Sequence, residues 1–358
     1  MKKSLLALAV LGAFAGAASA QSSVTLYGTV DLSAKYVKND GSGKRLSLAR
    51  DGINSSQLGF RGIEDLGGGL KAGFDLIASI GADSGDIGAG QSATGSGKFF
   101  QRRAVIKLIG GFGEVRAGRD YTPTFWNDTI FDAFGTVGLG DSTHVASLLS
   151  STFVRADNSI EYYLPPNLGG FYGQGMAAAA ESGQAGQSSN RGRYVGLRVG
   201  FAAGPFDVAA AYGTQRSGDV FGNSHKTYNV GGSYDFGFLK LMGYFDHDTL
   251  GQLKESRGSF SGVIPFGQSE VHLGYSRAKF TNGIPSVAFP TGFNNTIWQA
   301  AATYQYNLSK RTAFYGTVSD LKNGANSQNA VAGGTSITAS PTAGGSSRGF
   351  ELGMRHFF

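Results

Sequence analysis

The residues able to do chemistry are scattered along this chain and lack the company that catalysis needs. Gly345-Ser-Ser-Arg-Gly349 fits the G-x-S-x-G pattern. However, it leads from a loop into a strand, whereas a nucleophile elbow leads from a strand into a helix, so it reads as a chance match. His144, His225, His247, His272 and His356 have no metal-ligand spacing. No G-x-x-x-x-G-K-[ST] phosphate loop occurs. Basic residues are spread out rather than clustered, which argues against nucleic-acid binding. The expectation is a protein that is not an enzyme, with no cofactor and no metal. What recurs instead is a cation on one face of an alternating segment. Arg61, Lys71, Arg103, Lys107, Arg116, Arg198, Lys240 and Arg355 each interleave with Leu, Val, Phe or Ala. Fixed charge arrayed in this way can line a water-filled path and bias the ions that enter it.

The elements that carry these residues are strands. From Ser347 to Phe358, the residues Phe350, Leu352, Met354, His356 and Phe358 share one face, and Gly349, Glu351, Gly353, Arg355 and Phe357 share the other. Val24 to Tyr36 alternates in the same way and could close the open edge of that last strand. Sixteen strand candidates follow one another. Short turns near 65–69, 110–113, 166–170, 202–205, 235–238, 265–268 and 307–311 alternate with longer loops, of which Lys38–Ser55 reads as the first. Two segments resist this pattern. The Gly/Ser/Ala/Thr stretch 322–346 is a long loop. Asp120–Phe153 is irregular over 34 residues and holds Trp126, Asp128, Asp132, Asp141 and His144, and a segment of that kind inside a domain is usually functional.

The start of the chain reads as a secretory leader over residues 1–20. Lys2-Lys3 precedes an apolar run that ends at Ala18-Ser19-Ala20. Its removal leaves 338 residues, 21–358, and lowers the formal charge from +6 to +4. Cysteine is absent although the chain is exported, so stability must come from something other than disulfides. The 57 glycines, 26 Phe and 15 Tyr suit twisted strands with tight turns. The mean hydropathy of −0.11 does not argue against a membrane, because alternating strands average to neutral.

The faces decide between a dry and a wet interior. An Arg or Lys turned to lipid at mid-bilayer costs about 2–4 kcal/mol. Eight of them would exceed a domain's whole net stability of about 5–15 kcal/mol. The cations therefore look into a wet lumen, and Leu, Val, Phe and Ala look out. Tyr36, Tyr234, Phe245, Tyr306 and Phe358, at strand ends, suit interfacial girdles. The fold class is all-β: a 16-stranded antiparallel transmembrane β-barrel. A substrate-selective channel, a surface adhesin acting through its loops and a secreted soluble β protein are the other readings this pattern admits.

Ser22–Gly28, Leu58–Ala72, Gly118-Arg119, Arg155–Ile160, Leu308–Thr312 and Gly353–Phe358 resemble general porins of Gram-negative bacteria, most closely those of β-proteobacteria. The resemblance spans residues 21–358 in order. It implies an outer-membrane homotrimer that passes small hydrophilic solutes and ions by passive diffusion. It also implies an inward-folded third loop, which falls on Asp120–Phe153. Through the resemblance, Arg103, Arg119 and Arg155 belong to the constriction wall. Arg61 and Lys107 join them from facing alone. Asp128, Asp132 and Asp141 are the loop acids expected to oppose that wall. The terminal Phe358 resembles the signal read by the outer-membrane assembly machinery. The lipid bilayer and lipopolysaccharide are the surroundings expected of such a barrel. One departure is Gln57, where the family often has arginine. It weakens the basic wall and leaves an expected anion preference that is weak.

Overall fold

Alternation puts every second residue on one side of a strand, and a closed sheet turns those two sides into an inside and an outside. The computed structural model of the protein describes residues 23–87, 98–148, 154–180, 192–216, 224–282, 294–331 and 340–358. The leader expected over residues 1–20 lies outside them. The strands run β1 (Ser23–Asn39), β2 (Gly43–Arg50), β3 (Gln57–Gly67), β4 (Leu70–Ser79), β5 (Arg103–Gly110) and β6 (Gly113–Tyr121). After a short helix α1 (Pro123–Ile130) come β7 (Arg155–Tyr163), β8 (Phe171–Ala178), β9 (Tyr194–Ala203), β10 (Phe206–Arg216), β11 (Ser224–Asp235) and β12 (Lys240–Leu250). The chain ends with β13 (Leu253–Phe266), β14 (Ser269–Asn282), β15 (Asn294–Asn307), β16 (Thr312–Lys322) and β17 (Ser346–Phe357).

Every strand pairs antiparallel with its sequence neighbour, except that β3 follows β2 along the same partner, and β1 closes the ring onto β17 from Thr29↔Phe357 to Asn39↔Ser347. The seventeen segments make sixteen staves. β2 and β3 lie end to end along β1, one paired over Leu32–Asn39 and the other over Ser23–Thr29. The facing is as the cost argument requires. Val30, Leu352, Met354, Phe314 and Val318 are exposed on the outside, whereas Asp31, Lys35, Glu351 and Thr317 are buried inside. The proposed girdle residues Tyr36, Tyr234, Phe245, Tyr306 and Phe358 are all exposed. All seven short turns lie on one rim.

The segment 38–55 is not the long loop that its polarity suggested. β1 runs on to Asn39, turns at Asp40–Ser42, and returns as β2. Asp40-Gly41 is a tight hairpin turn, with Gly41 at φ +77. A second tight turn, at 251–252, joins β12 to β13 on the same rim. The strict alternation of short and long connections therefore fails at two places on the loop side.

The seam between first and last strands is held from both faces. Inside, Lys35 Nζ stands 3.3 Å from Glu351 Oε2, both fully buried, and Ser33 Oγ donates to the same carboxylate at 2.9 Å. At the end, Gly28 N–H donates to the Phe358 carbonyl and Phe358 N–H to the Gly28 carbonyl, each at 3.1 Å. The Phe358 ring lies over Gly28, where an added Cβ would sit 2.3 Å from Cζ and 2.5 Å from the Gln57 carbonyl oxygen. Overpacking of this kind costs about 1–3 kcal/mol. Gly28→Leu is expected to lower the melting temperature of the detergent-folded protein, measured by circular dichroism. An unchanged melt would show that this clasp contributes nothing.

Candidate channel and its charged wall

The third loop is built to fold inward. Thr122 caps α1 by accepting from Phe125 N–H, and Pro123 opens the helix where its missing N–H costs nothing. Tyr121, just before the cap, stacks on Phe125 at 5.3 Å and meets Trp126 edge-on at 5.2 Å. The helix then lies against β8–β11, and two 3₁₀ turns, Gly138–Gly140 and Ser142–Val145, lie against β14–β17. The main contacts of these elements are thus with strands other than β3–β7.

Three apolar side chains of the loop plug into the wall at glycines. A Cβ at Gly231 would lie 2.3 Å from the Phe131 ring, one at Gly274 2.5 Å from Phe134, and one at Gly349 2.7 Å from Leu139. Phe131 and Leu139 are completely buried there. Polar bonds add to these contacts. Gln299 Nε2 donates to the Leu139 carbonyl at 2.9 Å, Ala133 N–H to Ser261 Oγ at 2.9 Å, and Asn329 Nδ2 to the His144 and Ala146 carbonyls at 2.8 and 2.9 Å.

Asp31 braces the loop from beneath. Fully buried, it accepts N–H bonds from Gly52, Ile53 and Asn54 at 3.1, 3.0 and 2.7 Å and the Tyr315 hydroxyl. This fixes the break between β2 and β3, against which Gly138 packs so closely that a Cβ there would stand 1.7 Å from the Gly52 carbonyl oxygen.

The loop acids have positions other than those expected of them. Asp128 is buried against the wall behind α1, paired with Arg257 of β13 at 2.7 Å, and does not face the arginines of β5–β7. Burial raises its carboxyl, and Arg257 pulls it back. Asp132 accepts from Phe134 N–H and Thr136 N–H at 3.1 and 3.0 Å and from Ser142 Oγ at 2.9 Å, which shapes the turn after α1. Burial and the nearby Asp141 raise it to about 6. Asp141 caps the second 3₁₀ turn through Thr143. A carboxylate in a buried loop goes first to backbone N–H groups and to a buried cation, because leaving those unmet costs more than leaving a solvated pore charge unopposed.

The basic wall is brought together on β3–β7. Arg103 and Arg116 share Asp120, at 2.7 and 2.9 Å, and Arg116 also binds Glu114 at 2.6 Å. Lys107 pairs with Asp75 at 2.6 Å. Arg61 lies on the inward line and rests over the Tyr27 ring at 5.1 Å. Arg155 stacks 4.2 Å from Tyr121, donating to its hydroxyl at 2.6 Å, and Arg102 reaches the same hydroxyl at 3.3 Å. Arg119 sits at a bulge, in register with Ala104, and pairs with Asp157 at 2.7 Å. It is off the Arg103–Lys107 line. Gln57 faces inward between Thr29 and Ser79, a neutral amide beside the cations. Sequence reasoning missed Arg102. Starting the strand at Phe100 would have turned Arg102 to lipid, but β5 begins at Arg103, and the preceding link is free to aim Arg102 at Ser79 inside.

A closed sheet with an apolar exterior, a charged lumen and a loop folded into it defines a bilayer-spanning diffusion channel. The profile of the Gram-negative porin family matches residues 7–326. The chain belongs to that family: it is an outer-membrane porin, a water-filled pore for small hydrophilic solutes and ions. It is 37% identical to outer membrane porin protein 32 of Delftia acidovorans over the full length of both. It is 30% identical to an outer membrane porin protein of Bordetella pertussis over 90% of this chain and 95% of that one. The solved anion-selective porin from Comamonas acidovorans superposes with a TM-score of 0.80 at 34% identity, covering 94% of this chain and all of the other. The trimer form of OmpT from Vibrio cholerae shares the fold, with a TM-score of 0.65 at 14% identity, covering 94% of this chain and 99% of the other.

The docked loop yields a test. Gly349→Val should expel Leu139 and let the loop swing, so single-channel conductance in planar bilayers rises and becomes noisy. Conductance identical to the parent's, in a folded barrel, would mean that the sockets do not hold the loop.

Proposed function

We propose that this porin is a homotrimer with a weak preference for anions, set where the third loop faces Arg61, Arg103, Lys107 and Arg155, with Arg119 bracing the rim of that wall. The observation that carries this reading is the imbalance of charge on the wall. Arg103, Arg116, Lys107 and Arg119 are matched by carboxylates. Arg61, Arg102 and Arg155 have no carboxylate partner among the described residues and rest on tyrosines instead. One charge about 6 Å from an ion in water shifts its energy by roughly 0.7 kcal/mol, close to RT. Three such charges bias a pore without closing it to cations. Asp128 and Asp132, turned away into hydrogen bonds, do not cancel them.

The anion selectivity named for the Comamonas structure and the trimer form of OmpT support the same reading. No residue is assigned a catalytic part. Phe358, clasped on Gly28, is the residue that the assembly machinery would read.

Reversal potentials across a salt gradient test the proposal. The parent should favour chloride over potassium at low ionic strength, and the preference should fade as the Debye length falls from about 10 Å at 0.1 M to about 3 Å at 1 M. Arg155→Ala should move the potential toward zero with little change in melting temperature. Arg103→Ala should move it too and also loosen Asp120. Cation preference in the parent, or an Arg155→Ala protein identical to it, would overturn the assignment. Insertion in current steps other than threefold would overturn the trimer.

A further inference from the structure

The helix of the third loop has one side committed to the wall. At about 3.6 residues per turn, Thr124, Asn127, Asp128 and Phe131 share that side. Thr124 Oγ1 meets the Tyr194 hydroxyl at 3.4 Å, and Asn127 Nδ2 donates to the Ala209 carbonyl at 3.3 Å and to Asn229 Oδ1 at 2.9 Å. Asp128 takes Arg257, and Phe131 fills the space left at Gly231. The opposite side of α1 carries Trp126, Thr129 and Ile130. In a closed barrel, a helix face turned from the wall is turned to the lumen. Ile130 is 38% exposed there. Trp126 is partly exposed, and its Nε1 is buried, so what the side chain shows is carbon. The Thr129 hydroxyl is engaged with that of Thr136 at 3.1 Å. None of these three side chains carries a charge.

One tyrosine ties Trp126 to the cations of the wall. The Trp126 ring meets Tyr121 edge-on at 5.2 Å, and the Arg155 guanidinium lies over the same Tyr121 ring at 4.2 Å. Arg155 and Arg102 both reach the Tyr121 hydroxyl, at 2.6 and 3.3 Å, and neither has a carboxylate partner among the described residues. An indole and two uncompensated guanidinium groups thus stand around one phenol ring. A single ring bearing one carboxylate spans that arrangement. Flat surfaces recur along the wall, where Arg116 lies over Tyr163 at 4.1 Å and Arg61 over Tyr27 at 5.1 Å. Apolar and aromatic lining with a few placed charges is the make-up of a small-molecule site. A carboxylate gains charge-assisted hydrogen bonds from guanidinium groups, and an aromatic ring gains a further contact from indole. Chloride can use the cations but gains nothing from Trp126.

We propose that the constriction discriminates among anions in favour of small aromatic carboxylates, with Trp126 and Ile130 as the specificity-determining residues. Arg155 and Arg102 hold the carboxylate, the ring lies against Trp126, and Ile130 flanks its edge. The inference rests on the anion-preferring reading of the wall and deepens it by naming the class of solute.

The test is single-channel current in planar bilayers, carried by potassium chloride, with benzoate, cyclohexanecarboxylate, acetate or uncharged benzyl alcohol added. Benzoate should interrupt the current at concentrations about two- to tenfold lower than acetate, the range that an aromatic contact adds. Cyclohexanecarboxylate has the bulk without the π face and should fall between them. Benzyl alcohol should leave the current uninterrupted. Trp126→Gln should bring the benzoate-to-acetate ratio near one, and Ile130→Gln should lower it. The ratio is the readout because a loop that is merely loosened changes access for both anions alike. A second measurement leaves the loop intact. Trp126 and Trp298 are the only tryptophans in the chain, so the fluorescence of Trp298→Phe reports Trp126 alone. Benzoate should quench it saturably and acetate should not. Equal interruption by benzoate and acetate, in a parent that prefers chloride, overturns this inference and leaves the charge reading standing. A parent without chloride preference overturns the charge reading, and takes this inference with it if the ratio is also near one. Cyclohexanecarboxylate as potent as benzoate overturns the aromatic class, and benzyl alcohol as potent overturns the part of the carboxylate. An unchanged ratio in Trp126→Gln overturns the assignment of Trp126. If neither loop variant folds, the fluorescence decides, and an absence of quenching overturns the site.

Discussion

Everything in this molecule follows from the need to leave no backbone N–H or C=O facing lipid. Hydrocarbon offers no hydrogen bonds, so a sheet that crosses it must have no edge. Here the ring closes where β1 meets β17 over eleven residue pairs. Closure then decides the side chains. A ring of sixteen staves is too wide for its own side chains to fill, so the interior takes water and charge and the exterior takes Leu, Val and Phe. A soluble β-sandwich with the same alternation would place them the other way round.

A wide lumen must then be narrowed without being sealed. The loop that does this needs a firm seat, and the seat is made by what the wall lacks. Gly231, Gly274 and Gly349 leave room for Phe131, Phe134 and Leu139, so one flank of the loop is packed almost as a protein core is. Its other flank is, in the proposed function, the one turned to the cations of β3–β7. Packing and field are thus separated across the loop. The apolar contacts fix its position, and the proposed anion preference rests on the charges of the opposite wall.

Much of this was readable from the chain. Period-two alternation marked the strands, and the cost of lipid-facing arginines fixed their facing. The irregular stretch after Arg119 marked the inserted loop. What escaped was local turn chemistry overridden by polarity, and long-range pairing. Asp40-Gly41 is a hairpin signal, and Leu46 and Leu48 alternate after it, but Lys38–Ser55 is polar enough to pass for a loop. The partners of Asp128 could not be read, because Arg257 lies 129 residues away and only the closed barrel brings it behind α1. Arg102 was hidden by one uncertainty, the residue at which a strand begins.

The clasp between Gly28 and Phe358 has a consequence for biogenesis. The first strand's final neighbour leaves the ribosome long after it, so no partial product can complete the ring. A chain cut short before that neighbour is a curled sheet with two bare rims, soluble in neither water nor fat, and exposed to periplasmic proteases. Closure of the ring therefore waits on the strand that is made last among those described.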